Sequence, residues 1–161
     1  VNVVCRGGNW LVNIGPDKNW KVSEEIKTRI HEVGEWLRTY GESIYETAAG
    51  PYEPVDGVYG STFRGDTVYL HILDPEAFEK TVLPEIGNEI VEAALIDGRP
   101  VGIFWEEGMP DAGSAAAAEN GDGRIRLALP DVMQGPDTIV VLKMKDTVCR
   151  ETEEIHFTGK E

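Results

Sequence analysis

Cysteine, histidine and positive charge are all scarce in this sequence of 161 residues, and each scarcity removes a class of function. The two cysteines, Cys5 and Cys149, stand near opposite ends and match no metal-ligand spacing. Free, buried thiols account for them better than a disulfide, which only geometry could establish. His31, His71 and His156 are far apart on different elements, so no metal site or cofactor is expected, and solvated or singly hydrogen-bonded imidazoles are the reading. Lysine and arginine number 15 against 29 acidic residues, a net charge of -14 whose field repels phosphate backbones and anionic lipid. Nucleic acid and membrane surfaces are therefore excluded as expected partners. No apolar run approaches the roughly 20 residues of a membrane span. The opening Val1-Asn2-Val3-Val4-Cys5-Arg6 lacks the charged-then-apolar order of a signal peptide. No nucleophile triad, internal repeat or low-complexity tract beyond four alanines is present.

What is present divides the chain in two. Trp10-Leu11-Val12, framed by asparagines, predicts a short strand over 9–14 that stops at Gly15-Pro16, where a ladder donor is lost. A continuous apolar run of this kind suits a strand covered on both faces, as in a parallel sheet. Residues 17–20 form a loop. Ser23 is a good N-cap, with Glu24 and Glu25 in the first turn, where the helix dipole favours negative charge. Ile26, Ile30, Val33, Leu37 and Tyr40 then recur at spacings of three and four, one apolar helical face, and Gly41 is the stop. One strand and one helix cannot cover their own apolar surface, so something else must.

After Tyr45 the period changes. Ala48-Ala49-Gly50-Pro51, Pro54 and Asp56-Gly57 mark a connecting segment. Strands are predicted over 58–63, 67–73, 89–96, 101–105, 124–129 and 138–144, separated by Arg64-Gly65-Asp66, Asp97-Gly98 and Asn120-Gly121-Asp122-Gly123. Short strands with such punctuation indicate an antiparallel sandwich or barrel. Ser114 to Ala118 fits a strand and a loop equally, and 154–158 is a candidate last strand. The expected organisation is thus 1–46 strand and helix, 47–54 linker, 55–145 β-sandwich and 146–161 polar tail.

Three further groupings have bland readings. Glu106, Glu107 and Asp111 follow Phe104-Trp105, but adjacent carboxylates on a strand point to opposite faces, so a solvated turn is expected. The 120–123 turn lacks calcium ligands, with Ala118 and Leu129 at the first and last ligand positions. Trp10, Trp36 and Trp105 read as core or interface.

Gly7-Gly8-Asn9-Trp10-Leu11-Val12-Asn13-Ile14-Gly15-Pro16-Asp17, then Val33-Gly34-Glu35-Trp36-Leu37 and Tyr40-Gly41-Glu42-Ser43-Ile44-Tyr45, resemble the α-L-fucosidases of glycoside hydrolase family twenty-nine. Later stretches, Gly65 to Tyr69, Leu127 to Pro130 and Asp137 to Leu142, are similar to that family's C-terminal sandwich. The chain departs from the family pattern at Cys5, in the loop Asp17 to Val22 and over Ala48 to Tyr52.

The resemblance implies a mainly β fold: a C-terminal antiparallel β-sandwich preceded by a strand-helix remnant of a (β/α)8-type barrel. It implies hydrolysis of terminal α-linked fucose with retention, which takes two carboxyl groups about 5 Å apart. The family's pair lies upstream of the Asn13-Ile14-Gly15-Pro16 strand, so no catalytic residue is expected in this chain, which alone should be inactive. Such a barrel needs roughly 250 residues, and only 1–46 belong to it here. Its partner would be an upstream catalytic barrel, in the same gene product or a separate chain, or a second copy. The substrate class would be a fucosylated glycan, and family habit suggests a secreted, periplasmic or lysosomal setting. The loop after a barrel strand's C-terminal end faces the active site, which makes Asn13, Asp17 and Trp20 the substrate-rim candidates. The competing reading has Asn13 satisfying backbone groups and Trp20 packed on the helix. The alternative function is a non-catalytic carbohydrate-binding or structural β-sandwich module, dimerising through the exposed strand and helix.

Overall fold

The computed structural model describes residues 1–107, 123–130 and 135–148. The side chains of Glu106 and Glu107 lie outside that description. So do Asp111, the 120–122 turn, Ser114 to Ala118, Cys149 and the candidate strand at 154–158.

Helix α1 (Glu24–Tyr40) begins at Ser23, whose hydroxyl accepts from the Ile26 N–H at 3.4 Å. Glu24 and Glu25 occupy its first turn and Arg38 its last, and the exposed side carries ion pairs Lys27–Glu24 and Arg29–Glu32. No residue of α1 is buried. Val33, Trp36, Leu37 and Tyr40 are half-buried, and the rings of Trp36 and Tyr40 meet at 5.6 Å. A helix with an apolar stripe and no buried residue has a face that the described residues do not fully cover.

The remaining elements are strands β1 (Ala48–Ala49), β2 (Tyr59–Arg64) and β3 (Thr67–Ile72), a helical turn α2 (Pro75–Phe78), and strands β4 (Leu83–Pro84), β5 (Ile90–Leu95), β6 (Gly102–Glu107), β7 (Gly123–Ala128) and β8 (Thr138–Met144). They form a five-stranded antiparallel sheet in the order β1-β2-β3-β8-β5 and a three-stranded one in the order β4-β7-β6. Val68, Leu70, Val140 and Leu142 of the first pack with Leu83, Ile125 and Leu127 of the second in one core. The fold is the expected mainly β, antiparallel sandwich with a helical unit in front of it. Ala48 and Ala49, in the expected connecting segment, join the large sheet opposite Phe63 and Thr62.

All six residues of β3 are buried, so the large sheet is covered on both faces. Val68, Leu70 and Ile72 face the sandwich core. Thr67, Tyr69 and His71 face the other way, toward the N-terminal unit, as the period of two requires. A single 3-10 turn, Val4–Arg6, docks on that outer face. Its fully buried Cys5 fits only because Gly60 has no side chain: a Cβ there would come within 2.8 Å of Cys5 Sγ.

One element departs from expectation. Residues 9–14 form no strand, and none of their backbone N–H groups is bonded among the described residues. Leu11 is 90% exposed and Trp10 60%. The physical reason is that a strand exists only by its neighbours, and among the described residues no strand lies beside the segment. Trp105, 53% exposed, and Trp10 are likewise not core.

Candidate functional site

The three rim candidates fall in and beside one tight loop. Asp17 organises it: its N–H donates to the Lys21 carbonyl and its own carbonyl accepts from Trp20 N–H, both at 2.9 Å. Its Oδ1 accepts from the N–H groups of Asn19 at 2.7 Å and Lys21 at 2.9 Å. Those donors, Lys21 first, hold the Asp17 carboxyl below its ordinary value. The carboxylate is thus engaged in bracing the loop. Trp20 sits at the turn with φ of 60°, a left-handed conformation that is strained for a large side chain and that the surrounding bonds impose. Its indole is 86% exposed. It does not pack on the helix. Asn13 is exposed four residues before Asp17, on the segment that forms no strand.

A second polar grouping, which sequence reasoning missed, lies where α1 meets the sandwich. Ser43, just past the helix end, donates its hydroxyl to the Tyr40 carbonyl at 2.7 Å. The Ser43 carbonyl accepts from the Thr62 hydroxyl at 2.6 Å and faces His71 Nε2 at 3.4 Å. His71 Nδ1 lies 2.8 Å from Asp137 Oδ2. His71 is fully buried, not solvated, and it holds two partners where one was expected. The available signal was parity: His71 has the opposite phase to Val68, Leu70 and Ile72, so a histidine inside an otherwise buried strand had to meet something polar on the outer face.

Between this junction and the first ten residues runs an apolar groove of about 1490 Å³, bounded by Val4, Trp10, Val33, Leu37, Ile44 and Leu73. Among the described residues no group of three or more His, Cys, Asp or Glu could hold a metal ion, and no helix is long and apolar enough to cross a membrane. Asp137 borders the groove but is committed to His71.

Residues 1–42 match the family described as Alpha-L-fucosidase. The plasma alpha-L-fucosidase of Homo sapiens is 45% identical over 47 residues, which are 29% of this chain and 10% of that protein. The alpha-L-fucosidase of Dictyostelium discoideum is 29% identical over 114 residues, covering 68% of this chain and 23% of that one. The solved alpha-L-fucosidase isoenzyme 1 from Paenibacillus thiaminolyticus superposes with a TM-score of 0.65 at 25% identity, over 89% of this chain and 32% of its own. The chain is similar to α-L-fucosidases, and it spans a tenth to a third of the length of these relatives.

Proposed function

We propose that this chain is the C-terminal segment of a retaining α-L-fucosidase-like glycoside hydrolase, supporting a catalytic barrel whose nucleophile and acid/base lie in another part of the enzyme. The observation that carries the reading is the match of residues 1–42 to that family, in a unit whose helix has no fully buried residue and whose preceding apolar segment has no strand neighbour among the described residues. Residues 1–46 supply the last strand and helix of the barrel, and the sandwich over 55–145 buttresses them through the Ser43–Thr62–His71–Asp137 contacts.

On this reading the substrate is a glycan ending in α-linked fucose. Trp20 offers the flat apolar face on which a pyranose ring stacks, and Asn13 offers an amide at the rim. Asp17 serves as a positioning residue, since its carboxylate holds the loop that presents Trp20. The exposed Phe104 and Trp105 on β6 favour a second reading, glycan recognition by the sandwich itself.

The test is a chimera in which this chain replaces the corresponding C-terminal third of the Paenibacillus thiaminolyticus enzyme. It should hydrolyse an aryl α-L-fucoside, and Trp20→Ala within it should raise KM several-fold with a smaller effect on kcat. A cooperatively folded chimera without turnover would count against the support role. Calorimetric binding of fucosylated oligosaccharide by the chain alone, lost in Trp105→Ala, would favour the second reading.

A further inference from the structure

We propose that the outer face of β6 and β7 is an accessory sugar-binding platform, where the ring of Phe104, leaning over Gly102 and bordered by Arg126, stacks on one neutral pyranose of a glycan chain. This deepens the second reading above, recognition by the sandwich, and rests on it. It assigns the face, the residue that makes the contact and the charge class of the sugar.

The register of the two strands separates the exposed aromatics. Ile103 and Trp105 stand opposite Leu127 and Ile125, which belong to the sandwich core, whereas Gly102 and Phe104 stand opposite Ala128 and Arg126. Side chains alternate along a strand, so Gly102, Phe104, Arg126 and Ala128 share the outward face and Trp105 does not. Their burial agrees: Gly102 and Ala128 are exposed and Arg126 is half-buried. Phe104 and Trp105 therefore cannot hold one sugar together.

Phe104 leans back along its own strand. A Cβ added at Gly102 would stand 3.4 Å from its Cε2 and 3.8 Å from its Cζ, so the tip of the ring rests over the glycine. A glycine inside a strand weakens it and marks a place of close approach. Gly102 has no side chain and Ala128 only a methyl group, so neither rises above the ring, and Phe104 remains 57% exposed. At the other end Arg126, its direct cross-strand neighbour, donates from Nη1 to the Glu79 carbonyl at 3.2 Å, which holds the guanidinium at the border of the ring. A pyranose presents a C–H face that packs on such a ring and hydroxyls at its rim that meet a polar border.

Size and charge select this occupant. A protein interface takes roughly 20 to 30 residues a side, and the apolar part of this face is Gly102, Phe104 and Ala128. Beyond it the strands pair Arg124 with Glu106, and charged residues are depleted at the centre of protein interfaces. Glu106 across from Arg124, in a chain of net charge -14, also disfavours a polyanion. A single neutral ring fits both limits.

Amide chemical-shift titration of the whole chain with methyl α-L-fucopyranoside and methyl β-D-galactopyranoside tests this, with mannitol as a polyol that has no ring. At least one pyranoside should shift the amides of 102–104 and 126–128 with a Kd on the order of millimolar, and mannitol should not. Phe104→Ala should weaken binding at least about tenfold, while Phe104→Trp keeps it. Gly102→Val retains the aromatic and suits a strand, but its side chain displaces the ring, so it should weaken binding by a similar factor. Trp105→Ala should leave binding unchanged. Binding that survives Phe104→Ala and is lost in Trp105→Ala would overturn the platform and leave recognition by the sandwich standing. No shift with either pyranoside up to about a hundred times that Kd would overturn both, with the support role untouched. Equal shifts with mannitol would overturn stacking as the mode of contact.

Discussion

His71 Nδ1 and Asp137 Oδ2 meet at 2.8 Å with both side chains buried, and the far nitrogen of the same ring faces the Ser43 carbonyl at 3.4 Å. Asp137 and the Ser43 carbonyl stand at the two ring nitrogens of His71, so the imidazole is held from both sides. β3 supplies the histidine, β8 follows directly on the aspartate, and Ser43 ends the helical unit. These contacts fix α1 on the sandwich.

Removing one member of such a pair strands the other in the interior. His71→Ala should destabilise the fold by about 3 to 5 kcal/mol, and Asp137→Asn by less, since the amide keeps a hydrogen bond to the ring. Urea unfolding of the three proteins measures this. Equal and small losses for both variants would mean that the junction is held by packing alone.

Gly60 and Cys5 make a second, apolar contact between the same two parts. A methyl group at 60 would stand 2.8 Å from Sγ and 3.0 Å from Cβ of Cys5, with no room for the turn Val4–Arg6 to stay. Gly60→Ala should therefore release Cys5. Alkylation at neutral pH, with Cys5 and Cys149 resolved by peptide mass, should be slow at Cys5 in the wild type and faster by at least about tenfold in the variant. Unchanged Cys5 labelling would refute the fit described.

The same burial sets a pH dependence. Desolvation pushes the Cys5 thiol up from 9.0 to about 11, while in the unfolded chain it ionises near the ordinary value. The unfolded state therefore loses its proton first as pH rises, so stability is complete below about pH 9 and declines between there and about 11. Cys5→Ala should flatten that part of the curve in denaturant titrations across the range.

Asp17 acts only on its own loop. In Asp17→Ala the amides of Asn19 and Lys21 lose their acceptor, and their hydrogen exchange should approach that of an open loop while the melting temperature stays within a degree or two. Acidification should mimic this: the carboxyl titrates below its ordinary 3.8, so the brace persists above that value and is lost as pH falls further. A large fall in melting temperature would assign Asp17 a role in the sandwich that its contacts do not support.

The sandwich was legible because its strands carry their own boundary signals. Thr138 to Met144 was placed to the residue, and β2, β3 and β5 within one or two. Ser23, Glu24 and Gly41 announced α1 in the same way, through local chemistry. β1 and β4, two residues each, were invisible, since pairs such as Ala48–Ala49 become strands only by lying next to Phe63 and Thr62. The strand at 9–14 failed for the opposite reason: its pattern is strong, but a ladder needs neighbours, and none of the described strands stands there. At the candidate site, the loop position of Asp17 and Trp20 could be read, while the division of labour between them could not. Asp17 as brace and Trp20 as presented ring depend on which backbone N–H groups turn toward one carboxylate, and no spacing rule encodes that.

On the proposed reading, the nucleophile and the acid/base lie outside residues 1–161. Incubating the purified chain with an aryl α-L-fucoside tests it most directly. Release of the aryl group is expected no faster than in buffer. Hydrolysis that disappears when a carboxylate of this chain is replaced by its amide would contradict it.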